Sequence, residues 1–318
     1  MRKSMAEEMR EKDADRAAFL KRYESVYGKD ATAKEVARGK RGEAALENYA
    51  AELIAARKPT TSRVVIPSFG STKPGRHTFA HATDIHIGSS GCDERAFCDF
   101  LDERIEEGVT VVACSGDILD GLGEKLWGEQ THQGWDAQSG RLIDILKKRK
   151  RLSWALISGN HDGYFDSVIG AEMGKVLQAR LQAVGVTATY LGKAKGHCLV
   201  HGARVSMIHP HGGTSRRNGV RMVLNAYVEN LVDEHPDIVL SGHFHKYAPV
   251  QMYPEATYCA GGGTFQQKAT EFANRISAPW DIGGSTVSLT LGKDGKAHEI
   301  SSRFYAAPRW DAVVWKAA

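Results

Sequence analysis

His77-Thr78-Phe79-Ala80-His81-Ala82-Thr83, running directly into Asp84-Ile85-His86, is the stretch that decides the fold. A short strand-like run ends without a linker on a carboxylate and an imidazole two residues apart. The pattern recurs along the chain. Residues 109–114 lead into Gly116-Asp117-Ile118-Leu119-Asp120, and 153–157 into Gly159-Asn160-His161-Asp162. Residues 205–208 lead into His209-Pro210-His211-Gly212-Gly213, and 238–240 into Gly242-His243-Phe244-His245. Between these runs lie longer amphipathic stretches at 94–107, 137–150, 174–184 and 220–235. Strand alternating with helix predicts an α/β core. In such sheets ligands gather in the crevice outside the carboxyl ends of the strands, so five polar clusters far apart in sequence converge on one cleft.

Outward from this core, residues 285–291, a turn through Lys293-Asp294-Gly295, and 298–305 read as an antiparallel hairpin. Residues 1–62 differ in kind: they are rich in Ala, Glu, Lys and Arg, with almost no strand-like run. Phe19, Leu20, Tyr23, Val26 and Tyr27 recur at helical spacing, as do Leu46, Tyr49, Ala50, Leu53 and Ile54. We read a helical extension over 1–62, ending in the linker Lys58-Pro59-Thr60-Thr61-Ser62, and a single α/β domain over 63–318. Helices at 33–38 and 43–56 around a turn have the outline of a helix-turn-helix. The second carries mostly Ala, Glu and Asn, which fits packing or homo-oligomerisation better than phosphate contact.

With 318 residues, 42% hydrophobic and 25% charged, the composition is that of a globular protein. The net charge of +4 suits an anionic substrate without demanding nucleic acid. Five cysteines without CxxC pairing read as reduced thiols, the start Met1-Arg2-Lys3 is too charged for a signal peptide, and no apolar run spans a bilayer. The expectation is a cytoplasmic protein with no membrane partner.

The donor types in the five clusters suit a dinuclear metal site. Imidazole and carboxylate favour Zn, Mn or Fe, and no cluster carries a thiolate. On extended backbone, both side chains of Asp84-x-His86 and of His243-x-His245 point the same way, so both can face metal. Asp117 is the natural bridging carboxylate, and glycines beside Asp117, Asn160 and His243 permit close turns. His209 follows its strand directly and is preferred to His211, which is left as a substrate contact or a loop residue.

The ordered set Asp84-x-His86, Gly116-Asp117-x-x-Asp120, Gly159-Asn160-His161-Asp162, His209 and Gly242-His243-x-His245 resembles the calcineurin-like metallophosphoesterase superfamily over residues 63–305. Gly263-Thr264-Phe265-Gln266, before the final hairpin, is similar to a phage and prokaryotic branch of it. The resemblance implies a two-sheet α/β/β/α sandwich. It assigns one ion to Asp84, His86 and His245, a second to Asn160, His209 and His243, and shares Asp117 between them. It makes His161 the general acid beside the scissile phosphate, with Asp162 orienting that imidazole and Asp120 acting from behind the ligands. It also implies hydrolysis by metal-activated water with two divalent ions, manganese first and zinc, iron or nickel as alternatives.

Two basic stretches bear on the substrate. Lys147-Lys148-Arg149-Lys150-Arg151 reads as a solvated helix end, with nucleic-acid tracking as the alternative. Arg216 and Arg217, with Arg221, follow the His209 cluster closely enough to meet substrate phosphate. The leading expectation is a phosphodiesterase, extending to a DNA exonuclease or endonuclease. The alternatives are a phosphatase or cyclic-nucleotide phosphodiesterase on small molecules, and an inactive nucleic-acid-binding or scaffold protein.

Overall fold

A computed structural model describes residues 66–121, 129–212, 216–231, 235–251, 257–267 and 280–308. The helices expected before residue 63, with their linker, lie outside the described residues. Within them the chain lays down β1 (Ser68–Phe69), β2 (Gly75–His81), α1 (Glu94–Glu106), β3 (Val111–Ser115), α2 (Gly134–Leu146) and β4 (Ser153–Ser158). Next come α3 (Asn160–Ile169), α4 (Met173–Ala183), β5 (Thr187–Lys193), β6 (Lys195–Val200), β7 (Ala203–Ile208) and α5 (Arg217–Glu229). The last elements are β8 (Ile238–Ser241), β9 (Ala248–Gln251), β10 (Tyr258–Gly261), β11 (Gly283–Leu291) and β12 (Ala297–Ala306).

Two six-stranded mixed sheets result. One has the order β12-β11-β2-β3-β4-β5, the other β1-β6-β7-β8-β10-β9. In the first, β2 to β5 are parallel and the β11–β12 hairpin closes the edge antiparallel. In the second, β7, β8 and β10 are parallel, with β6 and β9 antiparallel on either side.

The period of two in the central strands explains the layering. Val111 and Ala113 of β3, and Ala155 and Ile157 of β4, pack with Val205, Met207, Ile238 and Leu240 between the sheets. Their alternates Val112, Cys114, Trp154 and Leu156 face Phe97, Leu101, Leu142, Leu146, Leu177 and Leu181 of α1, α2 and α4. On the other outer face, Val220, Leu224 and Val228 of α5 cover Val239 and Cys259. Both faces of each central strand are therefore buried, and the architecture is an α/β/β/α sandwich.

The sequence expected α2 to reach residue 150, but it ends at Leu146, and the basic run after it is exposed as expected at Lys147, Lys148, Lys150 and Arg151 but not at Arg149. Arg149 turns inward, 8% exposed. It donates to both Asp102 carboxylate oxygens at 2.7 and 2.5 Å and to the Ile145 carbonyl at 2.9 Å. A guanidinium paired in this bidentate way ties α2 to α1 and leaves the run without its central charge on the surface. Helix α5 likewise stops at Glu229, where Asn230 caps it by donating Nδ2 to the Ala226 carbonyl at 2.6 Å. Helix α3 and strands β5, β6, β9 and β10 were not among the sequence expectations. Their apolar positions are few or interrupted by glycine, so their period is faint.

Candidate metal centre

The strand ends converge. Asp84 and His86 follow β2, Asp117 follows β3, and Asn160 and His161 open α3 directly after β4. From the other sheet, His209 follows β7, and His243 and His245 follow β8.

They form two adjoining groups. In Asp84, His86 and His245, and again in Asp117, His209 and His243, ligand atoms all lie within 4.8 Å of one another. The Asn160 Oδ1 atom joins the second group, 3.1 Å from His209 Nε2 and 3.0 Å from His243 Nδ1. Asp117 stands between the groups: its Oδ2 lies 3.1 Å from His209 Nε2, and it also clusters with His86 and His161.

The donors fit a pair of divalent cations. His86 Nε2 and His245 Nε2 face each other at 3.2 Å, and Asp84 Oδ1 is 3.4 Å from His245 Nε2. Two imidazole nitrogens and a carboxylate oxygen converging on one buried point make a tridentate pocket of N and O donors. Behind it, His86 Nδ1 lies 3.3 Å from Asp120 Oδ1, a carboxylate placed beside the ring without a hydrogen bond between them. His209 is fixed by main chain instead, donating Nδ1 to the Ser115 carbonyl at 2.7 Å.

The charges follow from the geometry. Burial works against the Asp84 and Asp117 carboxylates, but the histidines outweigh it. His245 and His209 hold Asp84 below its usual range, and His209, His161 and His86 hold Asp117 well below. Burial by itself would lower His209, yet Asp117 and Asp84 push the imidazole up to about 10. His243 goes the other way, brought down to about 4 by burial and by His209. A ligating imidazole is neutral, so a cation entering the second group displaces the His209 proton.

The backbone carries strain at this centre. Asp84 (φ 52°), His86 (55°), Asp117 (49°), His243 (79°) and His245 (52°) all adopt left-handed conformations. For residues with a Cβ this is uncommon and costs of order 1 kcal/mol or more each. It also corrects the expectation of extended backbone at Asp84-x-His86 and His243-x-His245. The two donors of each pair are brought forward by consecutive tight turns, not by strand alternation. Glycines serve these turns by close approach: a Cβ on Gly116 would sit 2.6 Å from both the Gly159 nitrogen and His209 Nδ1.

His161 donates Nδ1 to the Asp120 carbonyl at 2.7 Å, and its backbone N–H donates to Asp117 Oδ1 at 2.8 Å. Its Nε2 remains for a substrate. The main chain of Asp120 thus orients this imidazole, and Asp162, expected to do so, does something else. The Asp162 carboxylate accepts from the backbone N–H groups of Gly159, Leu119 and Ile118 at 2.9, 2.9 and 3.3 Å, clasping the β3 and β4 turns together. Burial and the nearby Asp117 raise it to about 6, against the pull of those donors. Of the expected substrate contacts, His211, Arg216 and Arg217 are all exposed at the approach to α5. Arg217 comes within 3.9 Å of Asp281.

Several supporting residues were not read from the sequence. Thr83 Oγ1 donates to Asp84 Oδ2 at 2.9 Å, and Gln130 Nε2 to Asp120 Oδ2 at 2.9 Å. Thr264 Oγ1 and Phe265 N–H donate to the Asp84 carbonyl at 2.6 and 3.1 Å, so the Gly-Thr-Phe-Gln stretch braces the first donor turn. The Trp280 ring stands edge-on to His245 at 4.4 Å, and Asp281 accepts from Lys246 Nζ at 2.9 Å and from Tyr247 N–H at 3.1 Å. Thr83 is next to the residue it supports, whereas Thr264 is 180 residues from Asp84.

A family model described as calcineurin-like phosphoesterase matches residues 77–247, more than half of the chain and all of the donors above. No curated protein matches the sequence. Among solved structures, the zinc complex of Vps29 from Entamoeba histolytica is 13% identical, with TM-score 0.34 over 72% of this chain and 99% of that one. A Streptococcus pneumoniae protein described as a predicted phosphoesterase is 13% identical, with TM-score 0.35 over 74% and 100%. A 5'-nucleotidase precursor from Thermus thermophilus is 12% identical, with TM-score 0.37 over 73% and 54%.

Proposed function

The chain belongs to the calcineurin-like phosphoesterase family, a metal-dependent phosphoesterase, and from that premise we propose that it hydrolyses phosphodiester bonds, DNA among its substrates. The observation that carries this reading is the position of Asp117 between two donor groups with the His161 imidazole alongside. Two divalent ions held there supply Lewis-acid polarisation of a phosphate and a nucleophilic water at neutral pH. Asp84, His86 and His245 would hold one, Asn160, His209 and His243 the other, and Asp117 would serve both. Carboxylate, amide oxygen and imidazole together suit manganese, with zinc or iron as competitors.

The chain's own residues supply the rest. The Asp120 carbonyl keeps the Nδ1 proton of His161 in place, so Nε2 is the atom that delivers a proton to the leaving alkoxide. No side-chain nucleophile is needed, so no covalent phosphoenzyme forms. Arg216 and Arg217, exposed where α5 begins, support a polyanionic strand as substrate by offering charge to neighbouring phosphates.

Purified protein reconstituted with Mn²⁺ is expected to turn over bis-p-nitrophenyl phosphate and linear DNA. Turnover of p-nitrophenyl phosphate alone would defeat the diester reading. Bound metal with no turnover of any substrate would point instead to a binding protein.

A further inference from the structure

Tyr164 lies one turn beyond His161 on α3, on the same helix face, and meets the imidazole edge-to-face with ring centroids 5.5 Å apart. It is one of four large hydrophobic side chains left exposed among the described residues, at 41%. The other three are Ile66, Val176 and Met222, none of them aromatic. The ring is backed by main chain. Gly121 has φ +82°, and a Cβ built there would lie 2.7 Å from Tyr164 Cδ2 and closer still to the His161 carbonyl. Only glycine allows that approach. The consecutive residues Asp120 and Gly121 therefore place both rings, one by hydrogen bond and one by contact.

We propose that the exposed face of Tyr164 stacks on the nucleobase of the leaving nucleotide. This rests on the diesterase reading above, in which the P–O bond to the leaving nucleoside breaks and the His161 proton ends on that oxygen. Whatever that oxygen carries must begin within reach of the His161 ring, and among the described residues Tyr164 is an exposed aromatic ring beside it. Every base has a π-face, so such a surface tolerates all sequences while favouring nucleotides over simple alkyl esters. A ring already held by backbone gives up little freedom on stacking.

The test compares kcat/KM for thymidylyl-thymidine with two analogues, each lacking one thymine, in the wild type, Tyr164→Ala and Tyr164→Trp. The wild type is expected to lose about tenfold when the leaving-side base is missing, in the range of base–aromatic stacking. Tyr164→Ala should lose about the same on the intact dinucleotide and nothing further on that analogue, and Tyr164→Trp should restore the discrimination. A non-hydrolysable methylphosphonate dinucleotide should bind about tenfold more weakly to Tyr164→Ala by calorimetry, with metal content unchanged. Equal losses on all three substrates, or no loss, would overturn the stacking role while leaving the diesterase reading intact. No turnover of any dinucleotide by the wild type would overturn both.

Discussion

The imidazoles of the two donor groups have different neighbours behind them. In the first group Asp120 stands behind His86 with Gln130 on it, Trp280 stands against His245, and the Asp84 carboxylate accepts from Thr83 Oγ1 and from the main-chain N–H of His243 at 2.8 and 3.1 Å. In the second group main-chain atoms meet His209 and Asp117, while the Asn160 side chain meets His209 and His243. Ser115 offers its carbonyl to His209, the His161 N–H reaches Asp117, and Asp162 clasps three amides of the flanking turns. A ligand fixed by a side chain can be retuned by one substitution. A ligand fixed by backbone moves only if the strand ends move. The surroundings of the His86 ring can therefore be changed through Asp120, whereas the acceptor behind His209 is main chain.

Asp117→Ala should erase the distinction, because both groups lose their shared carboxylate. Metal content by elemental analysis should collapse, and kcat/KM should fall by more than about 10³-fold, the scale of several kcal/mol of charge stabilisation. Normal metal content in this variant would remove Asp117 from between the groups. His161→Ala leaves both groups intact and should retain metal while kcat drops about 10²–10⁴-fold. Loss of metal there would make His161 a ligand instead of an acid. Asp162→Ala strips the acceptor from three backbone N–H groups and should destabilise the fold by about 3 kcal/mol in denaturant titration. It should weaken metal in the second group first, and a fully stable variant would mean the clasp carries no weight. Asp120→Asn keeps the shape and the carbonyl but removes the charge behind His86. Calorimetry should show one of two metal-binding steps weakened about 10–100-fold and the other untouched.

The smallest effect is a pH dependence peculiar to the second group. His209 is raised from 6.5 to about 10 in the folded chain, so its pairing with Asp117 contributes stability that is fully present below pH 6.5 and is lost as pH rises through about 10. With chelator present, this contribution should fall by at most about 1.4 kcal/mol per pH unit over that window. With metal bound the imidazole is already neutral, and the same scan should lose this component. Identical scans in the two conditions would detach His209 from the metal.

What the sequence made legible follows from range. Asp84, His86, Asp117, Asn160, His243 and His245 each sit in a short cluster directly after a strand, and strand ends can be read from apolar runs a few residues long. His209 could be preferred to His211 for the same reason. The true role of Asp162 depends on amides more than forty residues upstream, at Ile118 and Leu119, and no local pattern announces that pairing. Thr264 on the Asp84 carbonyl is more distant still. The left-handed turns at the donors were missed because hydropathy reports burial, not φ. Arg149 was misjudged because a run of five cations reads as solvated surface until its partner Asp102, on another helix, is in view.

The donors are divided between the two sheets: Asp84, His86, Asp117 and Asn160 hang from one, and His209, His243 and His245 from the other. Away from these loops the two layers meet mainly through interdigitated apolar side chains such as Val111, Ile157, Met207 and Leu240. Such a contact resists separation but yields more readily to sliding. Ligands gripped jointly from both layers act as rivets against that shear, set at one end of the sandwich. Loaded with metal, the protein should therefore resist shear more at the carboxyl ends of the strands than at the opposite rim.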